Sequence, residues 1–434
     1  MDIFHNVIDI LNIIITAFVS VAFGFQIIYI FICFLPKRKY KEATKKNRVG
    51  IVIAARNESE IIGRTIKILQ NMNYPKDKFE IIVMADNCTD NTAEVAKLLS
   101  NEVKVRVFER FESDKKKHNV GWALNYLFEQ LKPNLNDYDF FVRFDADAVV
   151  DKEYLNKMND AYESGVKVAK GYNNAINLKQ NLVAGVSGLW YIRDSRFNCH
   201  SRAALNTDVH LLGSGMMFAS SIIKQDGGWI CTHASEDTQF TILNIDKKRK
   251  VCYVPDAILY EDQPSTVKTI LKRNVRMGKS LHNLFWTEGL KCLVKFFKTL
   301  RYAYLDMFLN LLFIPIAVLC CTWLPAYYIY YIIYYGCIGN IPEMTTYLIN
   351  IGIALACAFV IPFIIQALVV CLIDRKKIKV PFKKLVGTCF AFPMFMIVYA
   401  LGIVLGVFSA NIKWKQVDRN VNYTDFPLDE FLNE

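Results

Sequence analysis

The chain has 434 residues, 53% of them hydrophobic, with a mean hydropathy of +0.20 and a formal net charge of +11. That is too apolar for a wholly soluble protein and too charged for a bundle made only of membrane helices, so a soluble domain joined to membrane helices is expected. The positive excess points to nucleic acid, a membrane surface or an anionic substrate, and its distribution decides among them.

The first element is an apolar run from Val7 to Leu35, interrupted mainly by Asp9, Asn12 and Gln26. It exceeds the roughly 20 residues needed to span a bilayer. No small-residue cleavage site accompanies it, so a removed signal peptide is not expected. KRKYKEATKKNR follows, with seven Lys/Arg and one Glu, and the excess of cations places that side in the cytoplasm. Asp9 and His5, at the other end of the span, read as interfacial and solvated.

Strand and helix patterns then alternate over residues 49 to about 263. VGIVIAA (49–55) is a β-rich run, and ESEIIGRTIKILQNM has helical spacing with Asn57 or Ser59 as its cap. FEIIVMA (79–85) is a second strand, followed by the helix TDNTAEVAKLLS, started by Thr89 or Asp90. VKVRVF (103–108) and YDFFVRF (138–144) are further strands, with the helix GWALNYLFEQL between them. Nearly unbroken apolar strands alternating with helices predict a parallel sheet covered on both faces.

Residues 265–301 interleave Val267, Ile270, Leu271, Val275 and Leu281 with Lys268, Lys272, Arg273, Arg276 and Lys279. Such amphipathic helices lie in the membrane interface with their cations toward anionic headgroups. This accounts for much of the charge, and no nucleic-acid motif supports that rival. Three apolar runs close the chain, at Tyr304–Tyr335, Tyr347–Ile373 and Val386–Ala410. The first is one long helix or two short ones divided at Pro325. The basic loop DRKKIKVPFKK, read as cytoplasmic, favours one pass and hence three C-terminal spans. The tyrosines of AYYIYYIIYYG read as an aromatic belt rather than a glycan-stacking channel. Asn350 and Gln366 either line a polysaccharide path or bond a neighbouring helix. The twelve cysteines show no CxxC pair or metal-like spacing and read as small apolar residues in a reducing compartment.

In a parallel sheet ligands bind beyond the carboxyl ends of the strands. Arg56-Asn57-Glu58 follows the first strand, Asp86-Asn87 the second and Asp145-Ala146-Asp147 the fourth, so these groups are expected along one edge. A second D-x-D, Asp137-Tyr138-Asp139, precedes its strand and reads as a solvated turn. Two close carboxylates repel unless a cation shares them, and hard oxygen donors suit Mg2+ or Mn2+. A metal there suits a departing diphosphate. No GxxxxGK[ST] is present and no GxGxxG follows the first strand, which argues against a P-loop or dinucleotide site.

At these motifs the sequence resembles the membrane-bound family 2 glycosyltransferases, the cellulose, chitin and hyaluronan synthase-like processive β-glycosyltransferases. The landmarks, in order, are IVIAARNE, VMADNCTDNTA, FDADAVVD, HLLGSGMMFA, GGW with SEDTQF, and YVPDAILYEDQPSTVKTILKRNVRMGKS. The resemblance covers most of the chain. It implies an α/β GT-A domain with a Rossmann-like mixed sheet in the cytoplasm, plus α-helical transmembrane segments. It further implies that Arg56, Glu58 and Asp86 contact the nucleotide, Asp145 the diphosphate or ribose side, and Asp147, with Asp145, the metal. Asp237 becomes the general base with Glu236 beside it, Gly213 and Gly215 lie on the acceptor side, and Arg273 and Arg276 join the nucleotide-sugar site. Read alone, Glu236-Asp237 is a helix N-cap and Asp86 an Asx turn.

The family's QxxRW motif reads Arg273-Asn274-Val275-Arg276-Met277 here. Methionine can touch a sugar face but lacks the flat aromatic platform, which puts processivity and the acceptor in doubt. Arg273 adds charge where the family has Gln. Val120 stands where the family often has Lys, with Lys115 to Lys117 as candidate substitutes.

The expected organisation is a transmembrane helix over 1–36, a cytoplasmic GT-A domain over 37–263, interface helices over 264–301, transmembrane helices over 302–410 and a tail over 411–434. The expected function is a multipass plasma-membrane enzyme, with composition suggesting a bacterial source. It would use a UDP-sugar, UDP-glucose or UDP-N-acetylglucosamine, with Mg2+ or Mn2+. The product is a growing β-linked glycan passed across the bilayer. The alternatives are single addition to a membrane lipid acceptor and a catalytically silent subunit of a partner synthase. Accessory or homo-oligomeric subunits stay open as partners, and nucleic acid is not one.

Overall fold

The computed structural model describes residues 2–100, 103–378 and 380–409, and the tail expected over 411–434 lies outside them. In chain order the main elements begin with α1 (Asp2–Ile32), β1 (Val49–Ala55), α2 (Ile62–Gln70), β2 (Phe79–Asp86), α3 (Thr92–Lys97), β3 (Val105–Arg110), α4 (Val120–Leu131), β4 (Phe140–Asp145) and β5 (Val149–Val150). Then come α5 (Tyr154–Glu163), β6 (Val168–Ala175), α6 (Leu182–Arg193), β7 (Met216–Ala219), α7 (Ser220–Asp226), α8 (Glu236–Asp246) and β8 (Val251–Glu261). The chain continues through α9 (Val267–Leu284), α10 (Leu290–Thr299), α11 (Tyr302–Cys337), α12 (Ile341–Leu355), α13 (Ile361–Ile373) and α14 (Phe382–Phe408). Two units result: a sheet unit of residues 35–177 and 194–263, and a helical unit of residues 2–34, 178–193 and 264–409.

The sheet runs β3-β2-β1-β4-β7-β6-β8-β5. The first four strands are parallel, as the strand–helix alternation predicts, with Val49 opposite both Phe79 and Phe140. The remainder departs from an all-parallel sheet. β7 is antiparallel to β4 and β6, β8 is parallel to β6, and β5 is antiparallel to β8. The sheet is therefore mixed and GT-A-like. Side chains alternate across a strand, so Phe140, Val142 and Phe144 join the core with Ile62, Ile66 and Leu69 of α2. Phe141 faces the other side, against Phe128 of α4 at 5.1 Å and Phe218 at 5.9 Å. Arg143 shares the parity of Phe141, and so a cation is carried into the second face.

Local chemistry shifts several boundaries. Neither Asn57 nor Ser59 caps α2, which starts after Ile61 without a side-chain cap. Instead Asn57 takes a φ of 56° and its Oδ1 accepts from the Thr89 amide at 2.8 Å, tying the loop after β1 to the loop after β2. Asparagine tolerates that left-handed backbone. Asp90 does stand at the entry to α3, accepting from the Thr92 amide at 3.1 Å. β3 extends to Arg110 because β2 runs to Asp86 and pairs with it throughout.

In the helical unit, among the described residues, Ile3–Ala22 within α1, Tyr302–Cys337 and Phe382–Phe408 are long and apolar enough to cross a membrane. α11 passes both Pro315 and Pro325 as one helix, so Pro325 does not divide it. The run expected over 347–373 is α12, a π turn at Ala356–Val360 and α13. Asp9 is not simply solvated: it accepts from the hydroxyls of Tyr331 at 2.8 Å and Tyr327 at 3.1 Å. His5 packs edge-on against Tyr334 at 4.5 Å, and Tyr331 stacks on Tyr347 at 4.7 Å. These tyrosines join α1, α11 and α12. Gln366 is buried and accepts from Arg193 Nε at 2.5 Å, so of its two expected roles it bonds a neighbouring helix.

α9 crosses α14 at glycines. A Cβ on Gly402 would lie 2.6 Å from Asn274 Cβ, and one on Gly278 would lie 2.5 Å from the Ile403 carbonyl oxygen. Gly402 and Gly406 are four residues apart on one helix face, the spacing that lets two backbones approach closely.

Candidate active site

The edge of the sheet unit is assembled from the loops after β1, β2 and β4, as the strand-end residues predict. Arg56, just past β1, donates through Nε to the Asp86 carbonyl at 2.9 Å, and its guanidinium pairs with the Asp86 carboxylate. The other Asp86 oxygen accepts from Arg110 at 2.7 Å and from Asn87 Nδ2 at 2.8 Å. Asp86 is thus a buried carboxylate between two arginines, not a helix cap. Arg110 was not anticipated, because its place depends on β3 pairing beside β2, which no local spacing reveals. Glu58 is half-buried at the start of the turn into α2; its amide donates to Thr92 Oγ1 at 2.9 Å.

β4 ends in Asp145, and Asp147 follows in the turn before β5; both are half-buried. Asp145 Oδ1 accepts from Arg143 at 2.7 Å, and its amide donates to Ser214 Oγ at 3.1 Å. The segment Gly213-Ser214-Gly215 lies along this strand end, with the Gly215 amide donating to the Arg143 carbonyl at 2.8 Å. Gly213 has a φ of 34°, and a Cβ there would sit 2.9 Å from Arg143 Nη1, so glycine is required on both counts. Its amide donates to Asp237 Oδ2 at 2.7 Å. Gly213, on the predicted acceptor side, and the predicted base are therefore neighbours.

Glu236 and Asp237 are the first two residues of α8, whose N-cap is Ser235. They are not caps; they lie where the helix dipole favours negative charge. Asp237 Oδ1 accepts from the Thr238 amide at 2.6 Å. Glu236 is buried, and its Oε1 lies 3.6 Å from Arg143 Nη1. Burial pushes its carboxyl up to about 7, against the pull of Arg143, and Asp237 adds to the rise. Burial alone would lower the Arg143 guanidinium, but Asp145, Glu236, Asp237 and Glu261 hold it above its ordinary value. Trp229 of the GGW landmark is buried, donates to the Cys231 carbonyl at 2.8 Å and stacks over Phe128 at 6.1 Å, which anchors the loop leading to α8.

The donor set at Asp145 and Asp147 fits a hard divalent cation. Both are carboxylates at a partly open edge, and among the described residues no group of three His, Cys, Asp or Glu forms a closed metal cage. A cation held by such a pair completes its shell with phosphate oxygens and water, which is the habit of Mg2+. Arg273, Arg276 and Met277 belong to α9 of the helical unit. Arg273 donates to Ser187 Oγ at 3.1 Å and lies over the Tyr191 ring at 5.6 Å, while Arg276 is exposed and Met277 half-buried.

Residues 47–280, more than half of the chain, match the family described as Glycosyltransferase like family 2. The chain belongs to this family. The match opens just before β1 and closes inside α9, so it takes in the sheet and every candidate site residue. Among relatives of this family 2 chain, the probable glycosyltransferase YdaM of Bacillus subtilis is 28% identical over 283 residues, 61% of each chain. The family 2 chain thus spans about three fifths of that relative's length. A poly-beta-1,6-N-acetyl-D-glucosamine synthase of Staphylococcus epidermidis is 24% identical over 85% of this chain and 84% of its own. A beta-monoglucosyldiacylglycerol synthase of Nostoc is 28% identical over 52% of this chain and 47% of its own. A solved mannosyltransferase of Pyrobaculum calidifontis, in complex with GDP-Man and Mn2+, is 16% identical, with a TM-score of 0.49 over 91% of this chain and 99% of that one.

Proposed function

We propose that this family 2 glycosyltransferase adds a sugar from a UDP-sugar, UDP-glucose or UDP-N-acetylglucosamine, to a growing β-linked glycan, with the sheet unit on the cytoplasmic side of the plasma membrane. Asp145 and Asp147 would hold Mg2+ or Mn2+, which neutralises diphosphate charge. Arg56, Glu58 and Asp86 form the nucleotide end of the site. Asp237 takes the proton of the acceptor hydroxyl. The freed oxygen lone pair forms the bond to the anomeric carbon from the face opposite the leaving group. The bond from that carbon to the diphosphate oxygen breaks, and UDP leaves with the electron pair. One displacement inverts an α-linked donor and yields a β bond.

The observation that carries this reading is the Gly213 amide on Asp237 at 2.7 Å. It holds one carboxylate oxygen at the sheet edge beside the end of β4, while Thr238 holds the other. Each oxygen keeps a further lone pair for a hydroxyl proton. The long match to a polysaccharide synthase supports a polymer product and export through the helices. Met277, in place of the family's tryptophan, favours a second reading, single addition to a membrane lipid, and the relative that makes a glucosyl lipid supports it.

The test is UDP release by the detergent-purified chain from a panel of UDP-sugars with Mg2+ or Mn2+. One donor should give metal-dependent release that falls about 10²–10⁴-fold in Asp237→Asn. Product size then separates polymer from single addition. A silent subunit would release no UDP in detergent or in membranes.

A further inference from the structure

Arg143 is a buried cation at this edge to which the mechanism above gives no task. It lies in an apolar strand, is 3% exposed, and reaches one acidic group at the end of its own strand, Asp145, and one on a distant helix, Glu236. Nη2 donates to Asp145 Oδ1 at 2.7 Å, and Nη1 lies 3.6 Å from Glu236 Oε1. Nη1 also abuts Gly213, whose amide holds Asp237. Nε and Nη1 have no hydrogen-bond partner. A buried cation with two unsatisfied donors is costly as a stability device, so stability alone does not account for it.

We propose that Arg143 is a positioning residue that couples the donor side of the site to the acceptor side. Its fork holds one oxygen of Asp145, which turns the other oxygen toward the cation and diphosphate. Its second arm faces Glu236 and supports the Gly213 turn, which fixes the direction of Asp237. The inference rests on the functional reading above, because it gives Asp145 and Asp237 their roles. Lysine keeps the charge but lacks the planar fork, so it can hold one side and not both.

The experiment uses the full chain in detergent, with Arg143→Gln, Arg143→Lys and Gly213→Ala. Partners that orient metal ligands typically contribute 10–100-fold to activity or affinity. Arg143→Gln should lower kcat about 10–100-fold and raise the Mn2+ concentration needed for half-maximal rate, and Arg143→Lys should recover part of both losses. Gly213→Ala presses on Nη1, so its effect should be non-additive with Arg143→Lys in a double-mutant cycle. A structural role alone would lower the yield of folded protein, leave kcat per folded molecule unchanged and make the two substitutions additive. That outcome overturns the inference.

A second readout needs no turnover: the rise in unfolding temperature induced by Mn2+ with UDP. It should shrink in Arg143→Gln and partly survive in Arg143→Lys. An equal or larger rise in Arg143→Gln overturns the inference even where the wild type transfers no sugar. Absence of wild-type transfer, by contrast, counts against the functional reading.

Discussion

Gly402→Ala tests the crossing of α9 on α14, the helix pair that holds Arg273, Arg276 and Met277 in place. The added Cβ would lie 2.6 Å from Asn274 Cβ, whereas carbon atoms pack at about 3.5–4.0 Å. The helices must therefore separate by about 1 Å. Overpacking of this kind costs about 1–3 kcal/mol, and replacing a helical glycine returns about 0.5–1 kcal/mol. The net loss is up to about 2.5 kcal/mol, which lowers the unfolding midpoint by up to about 10 °C in a unit of this size. Gly387 supplies the control, since it lies on the same helix and a Cβ there meets nothing within 4 Å. Gly387→Ala keeps only the helical gain and should raise the midpoint by about 1–4 °C. Thermal unfolding of the detergent-solubilised proteins, followed by loss of soluble protein, reads both. A midpoint for Gly402→Ala at or above that of Gly387→Ala would refute the close crossing.

Two further outcomes are expected. Asp226 accepts from Arg249 at 2.6 and 2.8 Å and from Lys247 at 2.5 Å. Burial would raise its carboxyl, but these bonds win and hold it below the ordinary carboxylate range. Its stabilisation is therefore present above the unfolded-state value and is lost as pH falls through the folded one. The stability gap between wild type and Asp226→Asn should be full at pH 7 and close toward about pH 3, and a constant gap in thermal melts would count against the linkage. Chelation by EDTA should abolish UDP release and added Mn2+ restore it, while Asp147→Asn should need at least about 10-fold more Mn2+ for half-maximal rate; an unchanged requirement would remove Asp147 from the metal site.

Unbroken apolar runs and helical spacing sufficed for β1, β2, β4 and α4, because these elements are buried and their pattern is local. Parallel pairing was legible for the first four strands only, and the order of the strands was not. β7 and β8 pair with strands distant in sequence, and pairing partners leave no mark on periodicity. Strand-end logic brought Arg56, Asp86 and Asp145 to one edge, since the end of a parallel strand is readable once the strand is. It missed Arg110, which reaches Asp86 across a strand pair, and Arg143, which looks like an interruption in an apolar run.

By itself the sequence determined the two-part organisation, the parallel core and the carboxylates that mark the candidate site, because burial and charge patterning are properties of short stretches. Only tertiary structure decided that Asp9 is held by tyrosines, that Gln366 bonds Arg193, that α9 crosses α14 at glycines, and that Arg143 faces Glu236. Each of these is a contact between residues far apart in the chain, and such contacts depend on which faces the fold brings together.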